Sequence, residues 1–216
     1  MNRKEAIKGL TTIGIMATIP SLIKFVDHRK RNIHFIGLGG AGSKAMGQIY
    51  KQGAPAIYSY ITDIEHFKSN SIINFIPYEP VERKTSHIEI YSNTEPGLKQ
   101  EIVLPENVKE LFNKNDTYIL LAGLGGFTGT KVSESLIYWL RENKRDFHAI
   151  LSLPFGFESK RRNYAQKVKE KYHKFPNVYF FDNEVLREQF GNKPIAETLA
   201  SSDREFYKIV KRKSII

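Results

Sequence analysis

The sequence predicts an α/β domain built on a doubly wound, mostly parallel sheet with helices on both faces. Three observations carry this prediction. From residue 33 onward, short apolar runs alternate with longer helical patterns, as when crossover helices cover a parallel sheet. The first apolar run ends in a glycine-rich turn that opens directly into a helical pattern. The chain has 216 residues, 41% hydrophobic, 12% aromatic and 26% charged, enough to bury a sizeable core and unlike a disordered segment.

Residues 33–36 read as the first strand and 41–51 as the helix that follows. Residues 56–61 read as a second strand, 118–122 as a central one, and 133–142 as a helix. Residues 149–153 are another strand, 160–174 a charged helix, and 178–181 a last strand, with a helical pattern over 192–212. Between about 68 and 107 the pattern is mixed and interrupted by Pro77, Pro80, Pro96 and Pro105, which predicts short strands and loops. There is no internal repeat and no low-complexity tract.

Composition narrows the function classes. With no cysteine, thiolate metal sites, disulfides and cysteine nucleophiles are excluded. The formal net charge of +10 suggests a polyanion binder. Its distribution argues otherwise: residues 1–32 carry seven basic side chains against two acidic, residues 203–216 five against two, and the body between them is close to neutral. A nucleic-acid groove is therefore not expected. Residues 9–23 are free of charge but shorter than a membrane span and interrupted by Pro20. They predict an N-terminal helix over 1–32 that docks on the body or touches a membrane surface, in a cytoplasmic protein. The opening Asn2-Arg3-Lys4 also resembles a degenerate twin-arginine leader, which leaves export as the alternative.

Two glycine loops carry the chemistry. Gly37-Leu38-Gly39-Gly40-Ala41-Gly42 satisfies the strand-to-helix pattern G-x-G-x-x-G, followed by Ser43. In a Rossmann-like sheet, such glycines let backbone N–H groups and a helix N-terminus approach phosphate oxygens. Asp63 supplies the acid expected about 20 residues on. Taken alone, this loop fits an NAD-binding oxidoreductase domain, or glycines that merely allow close helix–strand packing. A second loop follows the central strand: Gly123-Leu124-Gly125-Gly126-Phe127-Thr128-Gly129-Thr130-Lys131. Two loops at the carboxyl ends of strands in one sheet suit a nucleoside triphosphate better than a dinucleotide.

At these residues the chain resembles the FtsZ/tubulin family of GTPases. Residues 125–131 match five of seven positions of GGGTG[ST]G; residues 37–45 are similar to GxGGGGxNA, and Ile61-Thr62-Asp63 to NTD. Leu153 through Arg162 resembles KPFxFEGxxR, Phe181 through Leu186 resembles PNDxLL, and Leu199 through Asp203 sits where the family has FxxAND. The six segments follow in family order over about residues 33–212. The resemblance implies a guanine-nucleotide-binding protein of the cytoskeletal or cell-division class, holding GTP or GDP with Mg²⁺. It further implies that Glu158 holds the ribose, Arg162 lies along the nucleotide, and Asn183 and Asp203 read guanine. Self-association, or association with a full-length FtsZ-like protein, is implied as well.

Several features depart from the family. Phe127 replaces a glycine, Leu199 stands where an aromatic often stacks on the base, and the GAGANP-type loop has only residues 92–97 as a counterpart. The acidic catalytic loop and second domain that follow the central helix have no counterpart, so weak or no autonomous hydrolysis is expected. A nucleotide-free interaction protein on a degenerate fold of this type is the alternative these departures leave open. His34, His66, His87 and His148 are scattered, and no catalytic residue is assigned.

Overall fold

The computed structural model describes residues 31–62, 65–67, 72–77, 104–190 and 194–213, and residues 31–216 form one compact unit. The N-terminal segment, His87 and residues 92–97 lie outside the described residues. Among the described residues, six strands form a single sheet: β1 (Ile33–Leu38), β2 (Ile57–Thr62), β3 (Ile73–Pro77), β4 (Thr117–Gly123), β5 (Asp146–Leu153) and β6 (Val178–Asp182). Their order is β3-β2-β1-β4-β5-β6 and every pairing is parallel. This is the doubly wound arrangement the alternating pattern predicts.

Side-chain alternation along the strands divides the core into two layers. Phe35, Tyr58, Tyr60, Ile119, Leu121 and Ile150 face one side. There they meet Met46 and Ile49 of α1 (Gly39–Lys51) and Phe206 and Val210 of α6 (Ile195–Arg212). Ile36, Leu38, Leu120, Ala122, Ala149 and Leu151 face the other side. They are covered by α2 (Glu106–Lys109), α3 (Ser133–Glu142) and α4 (Ser159–Tyr172) through Val108, Leu136, Leu140, Val168 and Tyr172. Burial pushes the Tyr118 phenol up to about 12, and its hydroxyl donates to the Leu111 carbonyl at 3.0 Å.

Three elements differ from expectation. β5 begins three residues early, at Asp146, because Asp146, Phe147 and His148 continue the pairing with β4 despite their polar edges. Helix α5 (Asn183–Phe190) directly follows β6, where the sequence suggested only a motif. Between the second glycine loop and α3, Thr128–Val132 form one π-helical turn.

Candidate functional site

β1 has β2 on one side and β4 on the other, so the strand order reverses at its carboxyl end. Ligands of open parallel sheets bind in the crevice at such a point. Both glycine loops lie there, because the register sets Leu38 beside Ala122.

The first loop is short: β1 ends at Leu38 and α1 starts at Gly39, whose φ of +66° only glycine adopts at little cost. Its glycines divide by task. A Cβ on Gly37 would stand 2.7 Å from the Gly42 carbonyl oxygen, and one on Gly42 would overlap the Leu121 carbonyl oxygen. These two glycines seat α1 on the sheet. Ser43 is fully buried and donates its hydroxyl to the Gly39 carbonyl at 2.7 Å. Gly40 and Ala41, in contrast, are exposed. Leu38 at the N-cap makes no side-chain cap, and the first turn holds no acid. The N–H groups of that turn thus lack an intrahelical acceptor, and the helix dipole adds positive potential in front of them.

The second loop closes against the first. A Cβ on Gly39 would be 3.0 Å from the Gly129 nitrogen, and one on Gly129 would overlap the Gly123 carbonyl oxygen. Gly125 has φ +96° and lies against Pro154 and Arg161, whereas an added Cβ at Gly126 meets nothing within 4 Å. Thr130 is fully buried; its hydroxyl accepts the Gly125 N–H at 2.8 Å, and its own N–H donates to the Gly126 carbonyl at 3.0 Å. Thr130 therefore shapes the loop from within, while Thr128 is half-buried. Phe127 turns its ring toward the α3 side of the core, so its bulk is placed against protein.

The remaining candidate residues come from three loops and helices further along the sheet. Glu158 precedes α4; its carboxylate accepts the Phe155 N–H at 3.3 Å and pairs with Arg161 at 2.9 Å. Arg162 forms a fork with Asp182, at 2.7 and 2.6 Å, and also donates to the Pro154 carbonyl at 2.6 Å. The hydrogen bonds to Asp182 raise the Arg162 pKa. Burial alone would raise the Asp182 carboxyl, but the bonds from Arg162 and the Glu184 amide outweigh it and hold it low. Asn183 is buried, and its Oδ1 accepts the Ser202 hydroxyl at 2.7 Å. Counted position by position, the asparagine of PNDxLL falls on Asp182 and its aspartate on Asn183, one residue from the expected register. Asp203, half-buried on α6, has its pKa raised by burial, with Lys44 of α1 and Arg204 opposing the shift. Asp63 lies outside the described residues.

Two neighbours of the first loop escape motif reasoning. Lys44 stands one turn beyond Gly40 on α1. His66 has a buried Nε2 with no hydrogen-bond partner among the described residues, 3.8 Å from the position of a Cβ on Gly40. Burial lowers its pKa and Lys44 lowers it further. The segment is fixed by Tyr60, whose hydroxyl accepts the amides of His66 and Phe67 at 3.2 and 3.3 Å. Nothing in the spacing of His66 to the glycines signals this approach. Among the described residues, no group of three His, Asp or Glu side chains is arranged to hold a metal.

A parallel α/β domain with paired glycine loops at the switch in strand order is what these observations define. Its likeness is to the FtsZ/tubulin family: the chain is FtsZ/tubulin-like in both sequence and fold. Over 160 residues it is 29% identical to the cell division protein FtsZ of Aquifex aeolicus, a match covering 72% of this chain and 43% of that relative. The FtsZ dimer of M. jannaschii superposes with a TM-score of 0.65 at 20% identity, over 96% of this chain and 57% of that one. The GDP-bound CetZ1 monomer of Haloferax volcanii gives 0.55 at 17% identity, over 81% and 57%. The chain spans about half the length of the curated relatives it matches. No protein-family model matches it. Among the described residues, no helix is long and apolar enough to cross a membrane.

Proposed function

We propose that this chain binds GTP or GDP, with Mg²⁺ accompanying the nucleotide, as part of an FtsZ-like cell-division or cytoskeletal protein. The observation that supports this most is the exposed, uncapped start of α1 standing directly against the second glycine loop. A phosphate chain lying there would take N–H bonds from residues 39–42 on one side and from Gly126 and Thr128 on the other. Gly40 and Gly126 leave room for it, since a Cβ on either would have little or nothing against it. Mg²⁺ brought with the phosphates would neutralise part of their charge. In this reading Glu158 faces the ribose, while Asn183 and Asp203 meet the base. As a carboxylate, Asp203 accepts from guanine N1–H and N2–H₂ together, which adenine cannot satisfy.

The nucleotide-binding unit is proposed to run over residues 33–216, with 1–32 as a docking or membrane-surface extension of a cytoplasmic protein. Its macromolecular partner is a second copy or a full-length FtsZ-like protein. A thermal-shift panel tests the ligand claim. At 100 times Kd, GTP should stabilise the chain by about 2.7 kcal/mol, or roughly 5–10 °C in Tm. ATP and NADH should do much less, and Asp203→Ala should remove the GTP effect. A shift with NADH alone would favour the oxidoreductase reading, and no shift with any nucleotide would favour an interaction protein.

A further inference from the structure

We infer that His66 binds the phosphate chain of the nucleotide, its Nε2–H donating to a phosphate oxygen that also meets the first turn of α1, and that Phe67 is the positioning residue that holds it there. The inference deepens the guanine-nucleotide reading above and rests on it.

The segment carrying His66 is held on α1 by contacts that the glycine motif does not explain. Gly47 lies beyond the glycines of the loop and inside α1, where glycine weakens a helix relative to alanine. The Phe67 ring fills the notch it leaves: a Cβ on Gly47 would stand 2.7 Å from Phe67 Cζ and 2.9 Å from its Cε1. The same ring meets the fully buried Tyr60 of β2 edge-on, with centroids 5.3 Å apart. The Tyr60 hydroxyl in turn accepts both the His66 and the Phe67 amide. One wedged ring and two hydrogen bonds thus fix this segment against α1 between Gly40 and Gly47.

Held in that way, the tip of the His66 ring faces the start of the helix. Its Nε2 and Cε1 lie 3.8 and 3.9 Å from the position of a Cβ on Gly40, the second residue of α1. Cα–Cβ bonds in a helix tilt toward its N-terminus, so that position marks the space in front of the first-turn amides. Nε2 is buried and has no hydrogen-bond partner among the described residues. A buried polar atom without a partner is costly to the folded chain. A phosphate oxygen that takes N–H bonds from the first turn would satisfy it. The spot favours an anion over a cation, because the helix dipole is positive at this end and Lys44 of α1 lies close enough to lower the His66 pKa. The neutral ring with its proton on Nε2 is the form that donates.

Titration calorimetry of GTP and GDP into the full chain and its variants, with guanosine as a competitor, tests this. His66→Leu removes the donor and the unpaired buried nitrogen together, so the ligand-free Tm should hold or rise. GTP and GDP should nevertheless weaken by roughly tenfold or more, the loss expected for a hydrogen bond to a charged group. Guanosine, which has no phosphate, should bind both chains alike. His66→Gln, whose amide still donates, should recover most of the lost affinity. Should the leucine variant fail to fold, the shorter His66→Asn carries the same expectation. Gly47→Ala should push Phe67 off the helix and weaken GTP as well, with little further loss in the His66→Leu background. Full additivity of those two substitutions would overturn the role of Phe67. An equal loss for guanosine would overturn the phosphate contact. If the wild type bound neither GTP nor GDP, the parent reading would fail and this one with it; GTP binding by the wild type with an indifferent His66→Leu sinks the His66 contact alone.

Discussion

Replacing Gly40 by alanine separates the two demands that a phosphate-binding helix start must meet. Gly40 is the second residue of α1, is exposed, and has an ordinary helical φ, so nothing in the free chain requires a glycine there. The nearest atom to an added Cβ is His66 Nε2 at 3.8 Å, an ordinary van der Waals contact. Removing the glycine's conformational freedom from the unfolded chain should therefore stabilise the protein by about 0.4–1 kcal/mol, or roughly 1–4 °C in Tm. Cα–Cβ bonds in a helix tilt toward its N-terminus, so the new methyl points into the space in front of the first turn. If phosphate oxygens approach the amides there, the methyl keeps them away and GTP affinity should fall by at least tenfold, about 1.4 kcal/mol. The assay is a pair of measurements on one variant: thermal or urea unfolding without ligand, and calorimetric titration with GTP. Opposite signs are expected, a more stable chain that binds more weakly. Unchanged affinity in a stabilised Gly40→Ala would refute phosphate approach at this turn.

Gly42→Ala should behave differently, because its Cβ would overlap the Leu121 carbonyl oxygen and force α1 off the sheet. A loss of about 1–3 kcal/mol of stability is expected in urea unfolding, with or without nucleotide. Stability should also fall as pH drops from about 7 to 5. Burial lowers the folded-state pKa of His66 and His148, so the unfolded chain takes up protons first. His148→Gln should flatten the dependence of Tm on pH over that window, and a slope unchanged by it would assign the effect elsewhere. At still lower pH a second loss should follow, since Asp116 is held low by bonds from His34, Asn32 and Asn113 that outweigh its burial. Nucleotide binding should weaken on acidification beginning above the usual carboxylate range. Burial raises the Asp203 carboxyl, and its protonated form no longer offers two acceptors. Asp203→Asn should bind weakly and without that pH dependence.

The layers of the fold were legible because their physics is periodic. The central strand expected at 118–122 is Thr117–Gly123, and the helix expected at 133–142 has those bounds. β3 is one of the short strands expected between about 68 and 107, but its bounds were not legible, because Ile73, Phe75 and Ile76 lack the clean alternation of a half-buried strand. α5 was hidden because its eight residues follow β6 without a turn, so a motif was visible and a helix was not. Of the candidate site, the sequence located both glycine loops and the helix carrying Asp203. It could not divide the glycines by task, since only the packing of α1 on β4 shows that Gly42 seats a helix and Gly40 faces open space. Nor could it show that Arg162 is engaged by Asp182, 20 residues on, or Asn183 by Ser202, 19 residues on. Such pairings are set by tertiary contact between separate elements, a helix with a strand end in one case and two helices in the other, and no spacing rule encodes them.

The central claim is that the crevice between the two glycine loops holds a guanine nucleotide. Isothermal titration of GTP, GDP and NADH into the wild-type chain, in magnesium-containing buffer, tests it most directly. Saturable binding of one GTP or GDP per chain, with no comparable heat from NADH, is the predicted result. Absence of any GTP or GDP binding at high micromolar nucleotide would contradict it.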